Sequence, residues 1–511
     1  MKLFVSISIW ILLYFILPSF YIYLSSSSNF ILGFSMIQSW FFLIQLFVFS
    51  FSKKQLKVSQ SLVFLINSLI LYFLATVYVN WNILLNGEIL LYCVQNFTYL
   101  LAEAIPFCQR LGYLWIIFYI LGIVLWKLFY TRSSLFIPKK FLLAMVFVLA
   151  VYTFYPSKSF DLKESTQETI TMETNVRIQK PNFVFFLLEG VRQKSFPKNI
   201  SKYFQKNNLY STEIEYFFIP TPHSNHSIFS FLTGKYFTDK NIKEYKNFNI
   251  NPFLEIKNHD YELNFYSTQP TEVEDVDEIL KTSGFNVFSR VDYKKEKKYE
   301  EFIWGVDDHA LLDSAKIETK KSKRPFFTIY QFSNTHSPYF CKKNPSLEQK
   351  IEGYHCAIVS NLEIIDQILD IYSSSRDFGS TYFILVSDHG ESFGEHGFWK
   401  HNFSLYNEEI RVPFWIFHPK KKILMRNYGS ILELIPTIQE IIYEGKVSNS
   451  LLRENKHFEL KLKSWKSNDF MGMIQAQKKW ITETKSNRTV EMNWDDENIK
   501  EVKVNSLNLE N

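Results

Sequence analysis

Hydrophobic residues are concentrated in the first third of the chain. Five long apolar stretches occur there, at residues 3–24, 30–51, 60–80, 111–131 and 139–156. A helix needs roughly 20 apolar residues to cross the hydrocarbon core of a bilayer, where backbone polar groups find no water. The pattern therefore predicts a multi-pass α-helical membrane domain of about five helices over residues 1–156.

Residues 81–110 are also largely apolar, but polar side chains such as Asn86, Glu88 and Asn96 interrupt them. We interpret this segment as interfacial or re-entrant, and a sixth span is the competing interpretation. Residues 1–24 have no small-residue cleavage site, which favours a retained first span over a signal peptide. The number of spans matters because an odd number places the two termini on opposite sides of the membrane.

Charge in the loops sets the expected orientation. The loops after the second and around the fourth and fifth spans hold these basic residues: Lys53, Lys54, Lys57, Lys127, Arg132, Lys139 and Lys140. The opposite loops hold only Arg110. Since cytoplasmic loops are enriched in Lys and Arg, we expect a cytoplasmic N-terminus, a polar linker over 157–180 and an extracytoplasmic domain over 181–511.

The pattern after the linker changes to short apolar runs that end in polar residues. Residues 182–188 end in Glu189, residues 326–332 lead to His336, and residues 381–386 lead to Asp388 and His389. Such runs are typical of buried parallel strands, and the helical pattern at 352–374 indicates an α/β domain. Ligands bind beyond the carboxyl ends of such strands, which is where these polar residues fall.

A further polar segment surrounds Ser224. Pro220 and Pro222 indicate a turn, residues 227–232 fit a short helix, and Gly234 fits its C-cap. Ser224 then lies at or just before a helix N-terminus, which favours an anion. The residue is either a nucleophile whose alkoxide or phosphate ester is stabilised there, or an ordinary N-cap.

Two carboxylates and an imidazole form a ligand set for a divalent ion. Glu189, Asp388 and His389 suit Mn²⁺ or Zn²⁺, with Mg²⁺ and Ca²⁺ as alternatives. Such an ion would lower the pKa of a coordinated Ser224 hydroxyl. Taken alone, each residue could be an exposed or locally hydrogen-bonded polar group, so the prediction depends on all of them occurring together.

Charge and cysteine content add two limits. The net charge of +5 over 511 residues gives no reason to expect nucleic-acid binding. Cys341 and Cys356 fall in the expected extracytoplasmic part, where a disulfide is allowed. Cys93 and Cys108 form a second allowed pair, and free cysteines remain an equal alternative for both.

The residues around Asp388 resemble a known family. The sequence SDHGESFGEHG at 387–397, followed by Lys400-His401 and by RVP at 411–413, is similar to the corresponding block of the alkaline phosphatase/sulfatase superfamily. Residues 182–189 resemble its first strand, and 224–234 align with its nucleophile helix. Trp304 lies in a segment similar to the W-G-x-x-D of lipoteichoic acid synthases, and His336 in one similar to their T-H-x-P-[FY].

The resemblance implies a membrane domain followed by an α/β alkaline phosphatase/sulfatase-like domain that binds one divalent ion. It implies Ser224 as the nucleophile and as a fourth metal ligand. It also implies substrate-binding roles for these residues: His336, His401, Lys400, His396 and Trp304. His226 and Ile228 stand where formylglycine sulfatases have Pro and Arg, which argues against formylglycine formation and sulfatase activity.

The expected activity is transfer of a phospho-head group, of the glycerophosphate or phosphoethanolamine type. The donor would be a membrane phospholipid, the acceptor an envelope glycan or glycolipid, and the intermediate a phospho-seryl enzyme. The alternative is a membrane-anchored hydrolase, either a phosphodiesterase, a phosphatase or a sulfatase. A non-catalytic envelope-binding protein is a third interpretation. Residues 446–511 are expected to form a strand-rich end of the fold without chemistry of their own.

Overall fold

The structure is a computed structural model that describes residues 180–502 apart from short gaps. The gaps are 201–202, 205–206, 247–250, 272–275, 303, 322–324, 342, 345, 347–350, 444–446, 448, 466–469 and 485. The five predicted membrane helices, the residues Cys93 and Cys108, and nearly all of the predicted linker therefore lie outside the described residues. Within the described part, no helix is both long enough and apolar enough to cross a membrane.

A seven-stranded sheet forms the centre of the domain. Its strands, in chain order, are β1 (Asn182–Leu188), β2 (Tyr210–Glu213), β4 (Glu262–Ser267), β5 (Asn286–Phe288), β8 (Phe326–Gln331), β9 (Thr381–Ser387) and β12 (Phe414–His418). Their spatial order is β2-β12-β9-β1-β8-β4-β5. The five strands from β9 to β5 run parallel, and β12 pairs antiparallel with β9.

Shorter strands lie outside this sheet. They are β3 (Tyr216–Phe218), β6 (Glu301–Phe302), β7 (Gly305–Val306), β10 (Ser392–Phe393), β11 (Trp399–Lys400) and β13 (Tyr428–Ser430). An antiparallel sheet near the C-terminus contains β14 (Glu459–Lys463), β15 (Phe470–Gln475), β16 (Lys478–Glu483), β17 (Arg488–Asn493) and β18 (Lys500–Val502). The strand-rich end predicted for this region is present.

The described α-helices are α1 (Ser224–Thr233), α2 (Asp239–Lys246), α3 (Pro252–Asn258), α4 (Val276–Thr282), α5 (Arg290–Glu296), α6 (Ala310–Lys321), α7 (Ile351–Ser373), α8 (Asn407–Ile410) and α9 (Leu434–Tyr443). They cover both faces of the central sheet. Phe183 and Phe185 of β1 pack in one core with α1, α3 and α9, whereas Val184 and Phe186 pack in another with α6 and α7.

The apolar run of β1 follows from this burial on both faces. Successive side chains of a strand point to opposite sides, so a strand covered by helices on both sides needs apolar residues at every position. All seven residues of β1 and all seven of β9 are buried. The parallel pairing of β8, β1 and β9 places Glu189, Ser333 and Asp388 at the same edge of the sheet.

Helix α1 is longer than the predicted 227–232. It begins at Ser224, because the extended backbone of His223 forms the N-cap. It ends at the predicted Gly234, whose φ of 69° lies in the left-handed region. A Cβ at this position would approach Leu432 O to 3.1 Å, so both the backbone angle and the contact favour glycine.

The C-terminal sheet is attached to the segment that follows the loop carrying Asp388 and His389. The fully buried Lys479 of β16 donates hydrogen bonds to Leu405 O at 3.1 Å and Asn407 Oδ1 at 2.9 Å, and it pairs with Asp496. Two residues further on, Glu409 O accepts a hydrogen bond from Gly390 N at 2.8 Å. The antiparallel sheet thereby supports the loop that carries Asp388 and His389.

Cys341 and Cys356 form a disulfide in the structure. It joins the segment after His336 to the first turns of α7. The loop that it closes spans 15 residues, and closing a loop of this size stabilises a fold by about 3 kcal/mol in the chain-entropy description.

Replacing Cys341 and Cys356 together by serine should lower the free energy of unfolding by about 3 kcal/mol. Tryptophan fluorescence during thermal unfolding of the purified chain in detergent measures the shift. Dithiothreitol should destabilise the natural protein to a similar extent and leave the double variant unchanged. Equal melting temperatures for oxidised and reduced natural protein would contradict the prediction.

Candidate active site

Four residues meet at the carboxyl edge of the central sheet. Glu189 follows β1, Asp388 and His389 follow β9, and Ser224 begins α1. Ser224 Oγ lies 3.1 Å from Glu189 Oε1 and 3.0 Å from His389 Nε2. His389 Nε2 is also 3.1 Å from Glu189 Oε1. Glu189, Asp388 and His389 are buried, whereas Ser224 is half-buried and can be reached from outside.

The two oxygens of Asp388 have different surroundings. Oδ1 accepts hydrogen bonds from Gly190 N at 2.9 Å and from His389 N at 2.7 Å. Oδ2 is buried and accepts none, and it lies 3.6 Å from His389 Nε2. A buried carboxylate oxygen without a donor costs free energy unless a cation reaches it, so Oδ2 is suited to a metal ion.

The orientation of His389 leaves one ring nitrogen for a metal. Its Nδ1 lies 2.9 Å from Gly390 O. Because a carbonyl oxygen only accepts, Nδ1 carries a proton, and Nε2 is the nitrogen that faces Glu189 and Ser224 and would offer its lone pair to a metal ion that displaces its proton. A hydrogen bond of this kind is the usual way in which proteins fix a ligating histidine.

The charges in this cluster favour a cation. Burial and the negative charge of Glu189 raise the pKa of Asp388 well above its ordinary value. Burial lowers the pKa of His389, but the carboxylates of Asp388 and Glu189 outweigh it and raise the pKa to about 10. The cluster thus attracts positive charge, and Glu189, Asp388 and His389 together could hold a divalent ion.

His401 and Glu391 form a second polar pair beside this cluster. The ring of His401 lies 4.0 Å from that of His389. His401 Nδ1 donates to Glu391 Oε2 at 2.7 Å, and Tyr339 OH donates to Glu391 Oε1 at 2.9 Å. Burial raises the pKa of Glu391, but His401 and Lys400 contribute to lowering it to about 2. Both oxygens of Glu391 already have donors, so the better place for an ion is beside Asp388.

Further predicted residues lie around this pair. The ring of His336 is 6.1 Å from that of His401 and 4.8 Å from that of Trp304. Lys400 Nζ donates to Tyr339 OH at 3.3 Å and lies 4.8 Å above its ring. Trp304 is 9% exposed, so it offers little surface to a ligand and mainly packs against His336.

His396 is placed differently from the other predicted residues. Its ring stacks on Tyr406 with centroids 3.8 Å apart, and its Nδ1 lies 3.4 Å from Glu408 Oε2. These contacts attach the 395–397 turn to the segment supported by Lys479. Its described contacts are therefore with this segment rather than with the four residues that meet at Ser224.

The structure adds residues that the sequence analysis did not identify. Gln269, two residues after β4, donates to Glu189 Oε2 at 2.8 Å. His223 Nδ1 lies 2.8 Å from Asn402 Oδ1, and its ring is 4.5 Å from that of Trp465. The only sequence feature that could have indicated a role for Gln269 is its position just after strand β4. The contact of Trp465 with His223 joins distant parts of the chain, and no local pattern predicts it.

Asp308 links the residues that follow strand β4 to those that follow strand β8. It is fully buried and accepts hydrogen bonds from Thr268 Oγ1, from Ser333 N at 2.8 Å and from Asn334 N at 2.8 Å. Burial raises its pKa to about 7 even though these donors lower it. The second aspartate of the segment at 304–308 thus fixes the turn that leads to His336.

Comparison with known proteins identifies the family. The sequence profile of the sulfatase family matches residues 181–442, just over half of the chain. The chain belongs to the sulfatase family. A search of curated proteins finds no match. The resemblance predicted from the 387–413 block is confirmed, and the chain is a sulfatase-family enzyme with an α/β alkaline phosphatase/sulfatase-like domain.

Solved structures are similar to this chain at low sequence identity. A protein in the alkaline phosphatase superfamily from Vibrio parahaemolyticus is 16% identical, with a TM-score of 0.50 over 64% of this chain and 83% of that chain. The lipoteichoic acid synthase LtaP from Listeria monocytogenes is 14% identical, with a TM-score of 0.47 over 65% and 91% of the two chains. The C-terminal periplasmic domain of EcEptC from Escherichia coli is 14% identical, with a TM-score of 0.43 over 56% and 92%.

Replacing Asp388 by asparagine should abolish stabilisation by metal without destabilising the metal-free protein. The change removes the oxygen that lacks a donor and relieves the repulsion from Glu189. Zn²⁺ at a hundredfold excess over its Kd should stabilise the natural protein by about 2.7 kcal/mol. Thermal unfolding with and without Zn²⁺ measures both effects.

The matched control is Asp370→Asn, on the far part of α7, where the carboxylate accepts from Asn207. This variant should respond to Zn²⁺ like the natural protein. Full stabilisation of Asp388→Asn by Zn²⁺ would show that the ion binds elsewhere.

Proposed function

We propose that this sulfatase-family enzyme transfers a phospho-head group from a membrane lipid to an envelope glycan or glycolipid through a phospho-seryl intermediate. The observation that carries the proposal is the position of Ser224. Its Oγ contacts Glu189 and His389 at the first turn of a ten-residue helix, and its side chain remains half-exposed. A hydroxyl in this position is suited to nucleophilic attack on phosphorus.

One divalent ion held by Glu189, Asp388, His389 and Ser224 would lower the pKa of the Ser224 hydroxyl and offset negative charge on the phosphoryl group. Zn²⁺ or Mn²⁺ fits the imidazole and carboxylate donors, with Mg²⁺ or Ca²⁺ as alternatives. The N-terminus of α1 adds the partial positive charge of the helix dipole beside Ser224.

The transfer has two displacement steps. Ser224, having lost its proton to water, attacks the head-group phosphorus; the Ser224 Oγ–P bond forms and the bond from phosphorus to the diacylglycerol oxygen breaks. The acceptor hydroxyl then attacks the same phosphorus, and the Ser224 Oγ–P bond breaks. Each step passes through one transition state, which divides a difficult substitution into two easier ones.

His401 and His336 are the side chains we assign to proton transfer and phosphate binding. The Nδ1 of His401 donates to Glu391, so its Nε2 is the atom that exchanges a proton. Burial and the neighbouring His389 lower the pKa of His401 to about 4, so the ring is neutral at pH 7. Its Nε2 takes the acceptor's proton in the second step and then returns it to water, and the departing diacylglycerol oxygen takes its proton from water. Such general acid–base catalysis typically contributes about 10²–10⁴-fold. Lys400 lies close enough to contribute to the substrate site, and Trp304 packs against His336.

The lipid donor follows from the predicted membrane domain. Five spans over 1–156 would anchor the catalytic domain on the extracytoplasmic side of the cell membrane, close to lipid head groups and envelope acceptors. The sulfatase-family domain would then act at the bilayer surface. This topology is a proposal that depends on the odd number of spans.

A hydrolase is the second candidate function. Water in place of the acceptor hydroxyl would make the same site a phosphodiesterase or a phosphatase, and the family's name makes a sulfatase a further alternative. His226 and Ile228 replace the residues needed to form formylglycine, which disfavours sulfate ester cleavage. A non-catalytic envelope-binding role would not explain why Ser224 Oγ contacts both Glu189 and His389.

Incubation of the purified full-length chain in detergent with Zn²⁺ or Mn²⁺ and head-group-bearing phospholipids should add the mass of one phospho-head group. Intact-mass spectrometry measures the adduct, and peptide mapping should place it on Ser224. Phosphoethanolamine and glycerophosphate give different mass increases, so the result also identifies the donor.

Ser224→Ala should form no adduct, whereas Ser227→Ala, a buried serine one turn further along α1, serves as the matched control. Analysis of the released head group separates the two candidates, because a transferase gives a modified acceptor and a hydrolase gives the free head group. An adduct that persists in Ser224→Ala would refute the phospho-seryl mechanism.

A further inference from the structure

Gln269 is held rigidly at the carboxyl end of β4. Its backbone N–H donates to Ser267 Oγ at 3.0 Å, and its carbonyl oxygen accepts from Arg290 N at 3.1 Å. The backbone on both sides of the side chain is therefore fixed by the sheet and by the start of α5.

The carboxamide of Gln269 is also fixed. Its Nε2 donates to Glu189 Oε2 at 2.8 Å and to Phe332 O at 3.0 Å. Its Oε1 accepts from Gln331 Nε2 at 3.3 Å, and Gln331 Oε1 accepts from Ser267 Oγ at 2.9 Å. Since Phe332 O and a carboxylate oxygen can only accept, the nitrogen must face them.

This contact makes the two oxygens of Glu189 inequivalent. Oε2 receives the amide hydrogen of Gln269, and Oε1 faces Ser224 and His389. Asp388 shows the same division, because two backbone N–H groups occupy Oδ1 and no donor reaches Oδ2. Each carboxylate thus presents a single oxygen to the place where Ser224 and His389 meet.

We propose that Gln269 is a positioning residue that restricts Glu189 to one metal-binding oxygen and thereby sets the affinity of the metal site. The inference rests on the metal site of the proposed function, but not on the identity of the transferred group. With Gln269 in place, the ion receives one donor atom from each of four side chains, a number typical of Zn²⁺. Groups that orient a metal ligand typically change metal affinity by about 10–100-fold when they are removed.

The test measures the Kd of Zn²⁺ for the full-length protein in detergent, by competition with a chelating dye. Gln269→Met keeps the length of the side chain but removes the donor, and we expect Zn²⁺ to bind about 10–100-fold more weakly. Gln269→Asn also places the amide out of reach and should give a loss in the same direction if the methionine variant does not fold. Gln269→His keeps an N–H at a similar reach and should restore most of the affinity.

Gln475→Met is the matched control, because Gln475 Nε2 donates to Glu459 Oε2 at 3.2 Å on an exposed part of the C-terminal sheet. It should bind Zn²⁺ like the natural protein. Unchanged Zn²⁺ affinity in folded Gln269→Met would overturn the proposal, and so would a loss that histidine does not restore. Zn²⁺ binding with these effects but without a seryl adduct would leave Gln269 in its assigned role and reject the transferase mechanism.

Discussion

The burial of two carboxylates and an imidazole beside one another is the constraint on which this structure depends. Glu189, Asp388 and His389 are each 1% exposed or less. Bulk water therefore cannot solvate their charges, and no described lysine or arginine forms an ion pair with any of them. The site therefore has an excess of buried negative charge. Asp388 Oδ2 shows this most directly, because it is buried and no donor reaches it. A divalent ion held by the three side chains would remove this excess of negative charge, and it would supply the positive charge that the proposed phosphoryl transfer requires.

The rest of the fold holds these residues at one point. The parallel strands β1 and β9 end side by side, with Leu188 opposite Ser387, so the residues that follow them leave the sheet together. Hydrogen bonds from Gly190 and Gln269 then fix the carboxylates, and the buried Lys479 ties the C-terminal sheet to the segment that supports Gly390. A region without catalytic residues of its own thereby contributes to the geometry of the site.

Much of this arrangement could be predicted from the sequence, because the strands next to the site are buried on both faces. The apolar run at 182–188 ends directly before Glu189, and the run at 381–386 is separated from Asp388 by one residue. The sequence pattern therefore predicts both the strands and the positions of the candidate ligands. Strand β4 (ELNFYS) contains Glu262 and Asn264 among its apolar residues, so its end and Gln269 gave a weaker signal. The FGEHG motif could not indicate that His396 turns to Tyr406, because that contact depends on the path of the chain after the turn.

The central claim is that one divalent ion binds between Glu189, Asp388, His389 and Ser224. Crystals of the purified protein grown with Zn²⁺ and measured on both sides of the zinc absorption edge locate the ion by anomalous scattering. The account predicts one strong peak about 2 Å from Glu189 Oε1, Asp388 Oδ2, His389 Nε2 and Ser224 Oγ. A peak only between Glu391 and His401, or no peak at the four residues, would contradict it.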